Sequence, residues 1–290
     1  MKKLSLVSAY FELTKPRILS LVLVTTALGF YLGGQGIHSV SRFLFLLLGA
    51  GLVCAGSSAL NHYLEREFDS KMFRTRNRPI PTGMISPQNA LNFGVILILM
   101  GLVILYVKVN MLTAFLSLLT TFLYIMVYTP MKRVSWLNTT IGAIPGAIPP
   151  LGGWAAATGH LSFEAGMLFL ILFVWQHPHF YAIAWMCRED YERGGFKMLP
   201  VVDRDGKSTL RQILIYSLAL IPVSLIPTWL GISGKIYFLG ALAAGIYVLR
   251  MSYEFIRSQT MLTAKNLLRA TVIYLPILLI LIIVDGTISR

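Results

Sequence analysis

About nine stretches of this sequence are each long and apolar enough to cross a lipid bilayer as a helix, a length of roughly 17 to 25 residues. They lie near residues 18–32, 43–64, 91–107, 112–128, 137–157, 165–186, 213–230, 236–249 and 268–284. The mean hydropathy of +0.70 over 290 residues is too high for a soluble globular protein. We therefore expect an all-α, polytopic membrane protein with about nine transmembrane helices in a single domain, 1–290.

Lysine and arginine are distributed unevenly among the loops that join these spans. Short cytoplasmic loops are enriched in both residues. With the N-terminus, including Lys2 and Lys3, placed inside, only Arg42, Lys108, Lys235 and Arg290 fall outside. This distribution predicts a multi-pass protein of the cell inner (plasma) membrane with a cytoplasmic N-terminus. It also explains the net charge of +13 without nucleic-acid binding, because the cations lie in loops and not in a separate basic domain.

The stretch Asn61–Pro81, NHYLEREFDSKMFRTRNRPIP, places carboxylates beside cations at the end of the second span. Asn61, Glu65 and Asp69 are four residues apart, so they share one face of a helix. The cations that follow are Lys71, Arg74, Arg76 and Arg78. Carboxylate oxygens suit Mg²⁺, and guanidinium groups bind diphosphate oxygens. The stretch predicts a Mg²⁺ site for a diphosphate-bearing ligand, and the alternative is an ordinary solvated helix end.

A second cluster of acidic and basic residues follows the sixth span, about half a chain later. It runs from Trp185 to Lys207 and reads WMCREDYERGGFKMLPVVDRDGK. Acidic residues contribute little to topology, yet only Glu164 and Asp285 are expected outside, so their gathering on one side indicates function. The similar composition of the two clusters predicts loosely repeated halves, about 1–135 and 136–290.

The fifth and sixth spans contain residues that are unusual at membrane depth. Asn138–Gly159 is rich in proline and glycine, which predicts a kinked, closely packed helix that borders a cavity. The sixth span contains His177 and His179 in WQHPHF. A histidine in a span is often a structural hydrogen-bond partner; the alternative is a ligand to iron or a contact to an acidic group of a large planar substrate. Spacing alone leaves both interpretations open.

Several motifs in order make the sequence resemble a known family. They are LTKPR from Leu13, NxxxExxxDxxMxRTxxRPxP from Asn61, YTPMKR from Tyr128, NTTIGAIPGAIPPLGGW from Asn138, WQHPHF from Trp175 and REDYERGGFKMLP from Arg188. Together they resemble the protohaem IX farnesyltransferases, or haem O synthases, which are the haem-using branch of the UbiA superfamily of intramembrane prenyltransferases. The resemblance extends from the first span to the start of the seventh.

The resemblance implies a UbiA-type helical bundle around a central cavity, with an active site that faces the cytoplasm. It implies transfer of a farnesyl group from farnesyl diphosphate to the 2-vinyl group of haem b, with water addition. The product would be haem O for terminal oxidases. The implied partners are the two substrates, the lipid bilayer, and haem A synthase or oxidase assembly proteins, with no nucleic acid.

The resemblance also implies roles for individual residues. The catalytic metal site would consist of Asn61, Glu65, Asp69 and Asp190, with Mg²⁺ as the cofactor. The candidate diphosphate contacts are Arg74, Arg78, Lys132, Arg188 and Lys197. The candidate haem contacts are His177 and His179. From the residues alone, Lys132 is better explained by the enrichment of basic residues in cytoplasmic loops.

Two positions depart from the superfamily pattern. Glu65 stands where the first motif usually has aspartate, so its longer side chain is expected to reach the metal through water. Cys187 and Tyr191 stand where quinone-type relatives have aspartates, which leaves Asp190 with two nearby glutamates. We therefore expect the second cluster to bind metal more weakly than the first.

Two rival functions are compatible with parts of the sequence. One is another UbiA-type prenyltransferase acting on a quinone precursor or chlorophyllide, against which WQHPHF argues. The other is a secondary transporter, suggested by the broken fifth span and the loose repeat. Transporter sites usually lie near the bilayer midplane on discontinuous helices, whereas the carboxylates here lie at predicted helix ends.

Overall fold

Residues 5–288 are described by the structure, a computed structural model, with side chains described for residues 5–285. Every regular element in that range is helical. The elements are α1 Leu6–Leu13, α2 Pro16–Gly33, α3 Val40–Asp69, α4 Pro87–Lys108, α5 Met111–Phe122, a π-helical segment Leu123–Tyr128, α6 Thr129–Val134, α7 Asn138–Ala147, α8 Pro149–Thr158, α9 Phe163–Met186, α10 Arg188–Arg193, α11 Leu199–Val202, α12 Lys207–Trp229, α13 Lys235–Ser258 and α14 Met261–Ile288. Lys2, Lys3 and Arg290, which entered the topology prediction, lie outside the described residues.

Eight helices between residues 5 and 288 are long and apolar enough to cross a membrane. They are α2, α3, α4, the continuous run Met111–Val134, α9, α12, α13 and α14. The predicted fifth span is also helical, but it is divided into α7 and α8 of 10 residues each, so neither half meets the length criterion alone. The prediction of an all-α protein with multiple spans is confirmed, and the expected number of about nine is close to the number observed.

The break between α7 and α8 follows from their prolines. Pro145, Pro149 and Pro150 have no backbone N–H, so they cannot complete the helical hydrogen bonds around residue 148. Gln176 of α9 packs against this region, and its Nε2 donates to the carbonyl oxygen of Ala143 at 3.1 Å. The glycines here permit close contact. A Cβ at Gly153 would collide with the carbonyl oxygen of Thr26 on α2, and one at Gly146 with the Gln176 side chain.

Helices α3 and α4 pack closely through two pairs of glycines. Gly49 and Gly56 of α3 face Gly101 and Gly94 of α4, and a Cβ on any of these glycines would lie within 3.1 Å of the opposing helix. Small residues at such positions let membrane helices approach each other and gain van der Waals contact. The close packing of α4 along α3 fixes the direction of α3 and therefore the position of its C-terminal end, where the predicted metal ligands lie.

The largest apolar core joins α9 to α12, α13 and α14. Its largest fully buried side chains are Tyr181, Tyr237, Phe255 and Tyr274. The buried carboxylate of Asp285 accepts a hydrogen bond from the backbone N–H of Tyr237 at 3.0 Å, in the first turn of α13. This core makes α9 a rigid wall for the cavity beside it. The proposed division into two repeated halves stays a prediction.

Candidate active site

A cavity of about 490 Å³ opens among α2, α3, α5, α7, α8 and α9. This volume is in the range of small-molecule sites, roughly 300 to 1,000 Å³. The charged side chains on its wall are Lys15, Glu65, Asp69, Arg74, Arg78 and Lys132. They come from the start of α2, the ends of α3 and α6, and the segment after α3, so they lie at one end of the bundle. The remaining wall is mostly apolar, small or aromatic, which suits a ligand with a charged head and an apolar body.

The three predicted metal ligands of α3 share one buried face of the helix. Asn61, Glu65 and Asp69 have exposed fractions of 0%, 6% and 0%. Glu65 and Asp69 lie on the cavity wall, whereas the side-chain amide of Asn61 lies behind it. The Nδ2 of Asn61 donates to Thr129 Oγ1 at 3.0 Å, at the point where the π-helical segment ends. The four-residue spacing therefore brings the three side chains together as predicted.

Both carboxylates of α3 on the cavity wall form ion pairs. Lys132 Nζ lies 2.8 Å from Glu65 Oε1, and Arg78 Nη1 lies 2.7 Å from Asp69 Oδ2. The other oxygen of Asp69, Oδ1, is buried and has no hydrogen-bond partner among the described residues. An unpaired buried carboxylate oxygen is costly, since its lost hydration is not replaced. The atom is therefore suited to a cation from outside the chain.

Lys15 joins this cluster, and sequence reasoning missed it as a site residue. Its Nζ donates to Asn61 Oδ1 at 2.5 Å and to Tyr124 Oη at 3.2 Å. Its backbone adopts a left-handed conformation with φ of 50° before Pro16, which directs the chain into α2. Burial, and then the nearby Arg78 guanidinium, lower the pKa of Lys15 to about 7. The available signal was a lysine immediately before an N-terminal helix proline in LTKPR.

Asp190 of α10 binds the segment that follows α3. Its two carboxylate oxygens accept hydrogen bonds from the backbone N–H groups of Phe73 at 3.1 Å and Arg74 at 3.0 Å. Arg193 donates to Oδ1 of the same carboxylate at 2.9 Å. The second cluster of the sequence therefore lies against the first. Within the described part of the chain, no three His, Cys, Asp or Glu side chains converge as a preformed metal site, so metal binding by Asp190 stays a prediction.

The predicted diphosphate contacts divide into two groups. Arg74, Arg78 and Lys132 lie on the cavity wall, whereas Arg188 and Lys197 do not. The Lys197 side chain is exposed, but its backbone N–H donates to the carbonyl oxygen of Lys132 at 2.6 Å and so holds the end of α6 in place. Direct contact of Arg188 and Lys197 with a diphosphate stays a prediction.

His179 lies on the cavity wall. Its ring stacks on Trp175 with 4.9 Å between ring centres and an interplanar angle of 24°. Its Nδ1 lies 3.0 Å from Thr271 Oγ1 of α14. A histidine held by a neighbouring helix in this way presents a fixed ring edge to the cavity.

His177 is fully buried and does not contribute to the cavity wall. Its Nδ1 lies 2.8 Å from the carbonyl oxygen of Phe173, and its Nε2 lies 3.3 Å from Thr140 Oγ1. The ring stacks on Tyr216 of α12 at 3.6 Å between ring centres. Both ring nitrogens therefore have protein partners, and the structure resolves the two histidines into different environments.

The model of the UbiA prenyltransferase family matches residues 22–275, which include every charged residue of the cavity wall except Lys15. The chain belongs to the UbiA prenyltransferase family. This membership confirms the predicted enzyme class, a membrane-embedded prenyltransferase.

Curated relatives of this UbiA protein are similar over nearly their whole length. The chain is 47% identical over 285 residues to a protein of Solibacter usitatus (strain Ellin6076), covering 95% of this chain and 98% of that protein. It is 44% identical to a protein of Koribacter versatilis (strain Ellin345), covering 98% and 95%. It is 38% identical to a protein of Flavobacterium psychrophilum, covering 97% and 95%. All three relatives are named protohaem IX farnesyltransferase.

Solved structures confirm the UbiA-type bundle. The fold is similar to that of a digeranylgeranylglyceryl phosphate synthase, with a TM-score of 0.81 at 19% identity over 98% of this chain and 99% of that chain. It is also similar to a UbiA homolog from Archaeoglobus fulgidus bound to GPP and Mg²⁺, with a TM-score of 0.71 at 16% identity over 95% and 99%. At these identities the likeness concerns the fold alone.

Proposed function

We propose that the protein transfers the farnesyl group of farnesyl diphosphate to the 2-vinyl group of haem b, with water addition, to make haem O for terminal oxidases. The observation that carries the proposal is a single cavity with a cationic and carboxylate head at one end and a histidine, His179, on its largely apolar wall. The names of the relatives agree with this reaction.

The charged end of the cavity is suited to the diphosphate of the farnesyl donor. Its wall has four cations and two carboxylates, so positive charge is in excess. Arg78 and Arg74 offer planar guanidinium groups, and Lys132 and Lys15 offer ammonium groups, all of which bind phosphate oxygens well. The farnesyl chain then occupies the apolar part of the cavity beside α5 and α9.

The carboxylates suit Mg²⁺ as the cofactor. Mg²⁺ is commonly bound by one or two carboxylates, with phosphate and water completing its octahedron. Glu65 and Asp69 would hold it, with the unpaired Asp69 Oδ1 as the most direct candidate atom. The sequence-based assignments of Asn61 and Asp190 belong to the same proposal. When bound, the ion would neutralise negative charge on the leaving diphosphate.

The residues of the chain then have defined tasks in the reaction. Lys132 and Arg78 stabilise the charge that develops on diphosphate as the allylic C–O bond breaks. The terminal vinyl carbon of haem b forms a bond to C1 of the farnesyl group. Water adds to the adjacent carbon and loses a proton, which gives a hydroxyethylfarnesyl substituent. The apolar wall keeps bulk water from C1 until the carbon–carbon bond has formed.

The location of the site follows from the distribution of basic residues. The cations at the ends of α3, α6 and α9 belong to the loops expected in the cytoplasm. We therefore propose that the charged end of the cavity faces the cytoplasm, in the cell inner (plasma) membrane, with the N-terminus on the same side. Haem A synthase or oxidase assembly proteins are the proposed receivers of the product.

Asp69→Asn tests the proposed function. The purified variant in detergent is supplied with haem b, farnesyl diphosphate and Mg²⁺, and haem O is quantified by mass spectrometry. We expect a loss on the order of 10²-fold or more, comparable to removal of one preorganised transition-state contact. Glu67→Gln is the matched control, because the Glu67 side chain is 74% exposed and lies off the cavity wall. Near-normal haem O from Asp69→Asn would contradict the proposal. Wild-type protein that is offered a quinone precursor beside haem b and prenylates the precursor in place of haem would favour the rival substrate.

A further inference from the structure

His179, on the cavity wall outside its charged end, is hydrogen-bonded to Thr271, a fully buried residue of α14. The hydroxyl of Thr271 donates to the carbonyl oxygen of Leu268 at 2.7 Å, within α14. A hydroxyl has one hydrogen, so only its lone pairs remain to face His179 Nδ1 at 3.0 Å. His179 Nδ1 must therefore carry the ring hydrogen, and Nε2 is left with a free lone pair.

The orientation of the His179 ring is fixed from a second direction. Trp175 stacks on the ring, and Trp175 Nε1 donates to the backbone carbonyl oxygen of Thr271 at 2.8 Å. Thr271 thus binds His179 through its side chain and Trp175 through its backbone. A histidine that ligates a metal almost always donates its other ring N–H to a protein oxygen, which fixes its tautomer and orientation. His179 has that arrangement on a cavity wall.

The Nε2 of His179 has no hydrogen-bond partner among residues 5–285. His177 differs, since both of its nitrogens have partners and its ring lies away from the cavity. His179 is seven residues before the end of α9 at Met186, which corresponds to roughly 10 Å along the helix. An iron bound there would lie deeper in the bundle than the charged end, with the porphyrin edge free to approach the C1 of a farnesyl donor.

We propose that Nε2 of His179 is an axial ligand to the iron of haem b, and that Thr271 is the positioning residue that fixes its tautomer. The inference rests on the proposed function, because that function brings haem b into the cavity. It identifies His179 Nε2 as the atom that binds the haem iron and Thr271 as the residue that fixes the tautomer of that histidine.

Absorption spectra of haem b titrated into the purified protein test the ligand. We expect a histidine-ligated spectrum for the wild type, loss of that spectrum in His179→Gly, and its return when imidazole is added to the variant. His177→Gln is the matched control and should keep the wild-type spectrum. An unchanged spectrum in His179→Gly, or a loss caused equally by His177→Gln, would overturn the assignment.

Thr271→Val and Thr271→Ser test the positioning role. Valine has a similar shape but no hydroxyl, so we expect haem affinity to fall by about 10- to 100-fold with a shifted spectrum. Serine keeps the hydroxyl and should restore both the affinity and the spectrum. Equal affinity and spectra in Thr271→Val and the wild type would overturn this role. This pair of variants also decides the ligand assignment if His179→Gly does not fold.

Haem O formation, measured in the same preparations, separates this inference from the proposed function. If the wild-type protein makes haem O but its spectrum with haem b is the same as that of His179→Gly, the assignment of His179 as axial ligand is overturned and the proposed function is not. Wild-type protein that ligates haem through His179 yet yields no farnesylated product, with farnesyl diphosphate and Mg²⁺ present, would overturn the proposed reaction and leave the ligand supported.

Discussion

The two acidic clusters of this chain have similar compositions but different surroundings. Glu65 and Asp69 lie on the cavity wall beside Lys132 and Arg78. Asp190 instead directs both oxygens to backbone N–H groups of the segment that follows α3. The first cluster is therefore available to a ligand, whereas the second holds the first in place. The groups that face a carboxylate therefore determine its role more than its position in a motif does.

The largest expected effect distinguishes Glu65 from an acidic residue of the second cluster. Glu65→Gln removes a proposed metal ligand and the ion-pair partner of Lys132, so we expect the turnover rate to fall on the order of 10²-fold. The Mg²⁺ concentration needed for half-maximal rate should rise as well. The measurement is the rate of haem O formation across a Mg²⁺ titration, with EDTA as the zero point.

Glu189→Gln is the control for that titration, because the Glu189 side chain is 85% exposed and pairs with Arg193 near the surface. Its Mg²⁺ dependence should match that of the wild type. If the two glutamate variants shift the Mg²⁺ titration equally, the proposed difference between the clusters is wrong.

An intermediate effect is expected for Asp190→Asn. Asparagine can accept from one of the two backbone N–H groups but presents its own NH₂ to the other, and it has no charge to pair with Arg193, so at least one charge-assisted hydrogen bond is lost, about 1.5 to 3 kcal/mol. The segment that includes Arg74 and Arg78 should loosen. We expect the KM for farnesyl diphosphate to rise on the order of 10-fold, with an unchanged Mg²⁺ dependence.

The Mg²⁺ titration of Asp190→Asn also tests whether the two clusters differ in metal binding. A weaker apparent Mg²⁺ affinity, similar to that of Glu65→Gln, would support the metal role that the resemblance implies for Asp190. The hydrogen bonds from Asp190 to the segment that follows α3 would then be at most an additional role beside metal binding.

The smallest effect is expected for Lys197→Ala. The side chain is exposed and off the cavity wall, so its loss should change the KM for farnesyl diphosphate by about twofold at most, as for an ordinary surface residue. Lys132→Ala, measured in parallel, should raise the KM much more. An increase in Lys197→Ala comparable to that in Lys132→Ala would instead support the diphosphate contact predicted from the sequence.

Hydropathy and helical spacing were sufficient to predict most of the fold and the first half of the site. Apolar length alone predicts the spans, because a bilayer demands it. The four-residue spacing of Asn61, Glu65 and Asp69 predicts their shared face, because that is a local property of a helix. The division of the fifth span into α7 and α8 follows equally from its prolines.

The contacts that sequence reasoning missed join residues far apart in the chain. Lys15 reaches Asn61 across 46 positions, and His179 meets Thr271 across 92. No local pattern encodes such pairs, since they depend on how α2 and α14 pack against the rest of the bundle. For the same reason WQHPHF alone could not distinguish His177 from His179, whose environments differ because successive faces of α9 meet different helices.

Mass spectrometry of the haems extracted from cells that express the protein is the most direct test of the proposed reaction. In that reaction, one cavity brings farnesyl diphosphate to haem b. The proposed reaction predicts a new haem whose mass equals that of haem b plus a farnesyl group and a hydroxyl group. That haem should be absent from cells that express Asp69→Asn at an equal level. Unmodified haem b as the sole haem from cells with correctly folded wild-type protein would contradict the account.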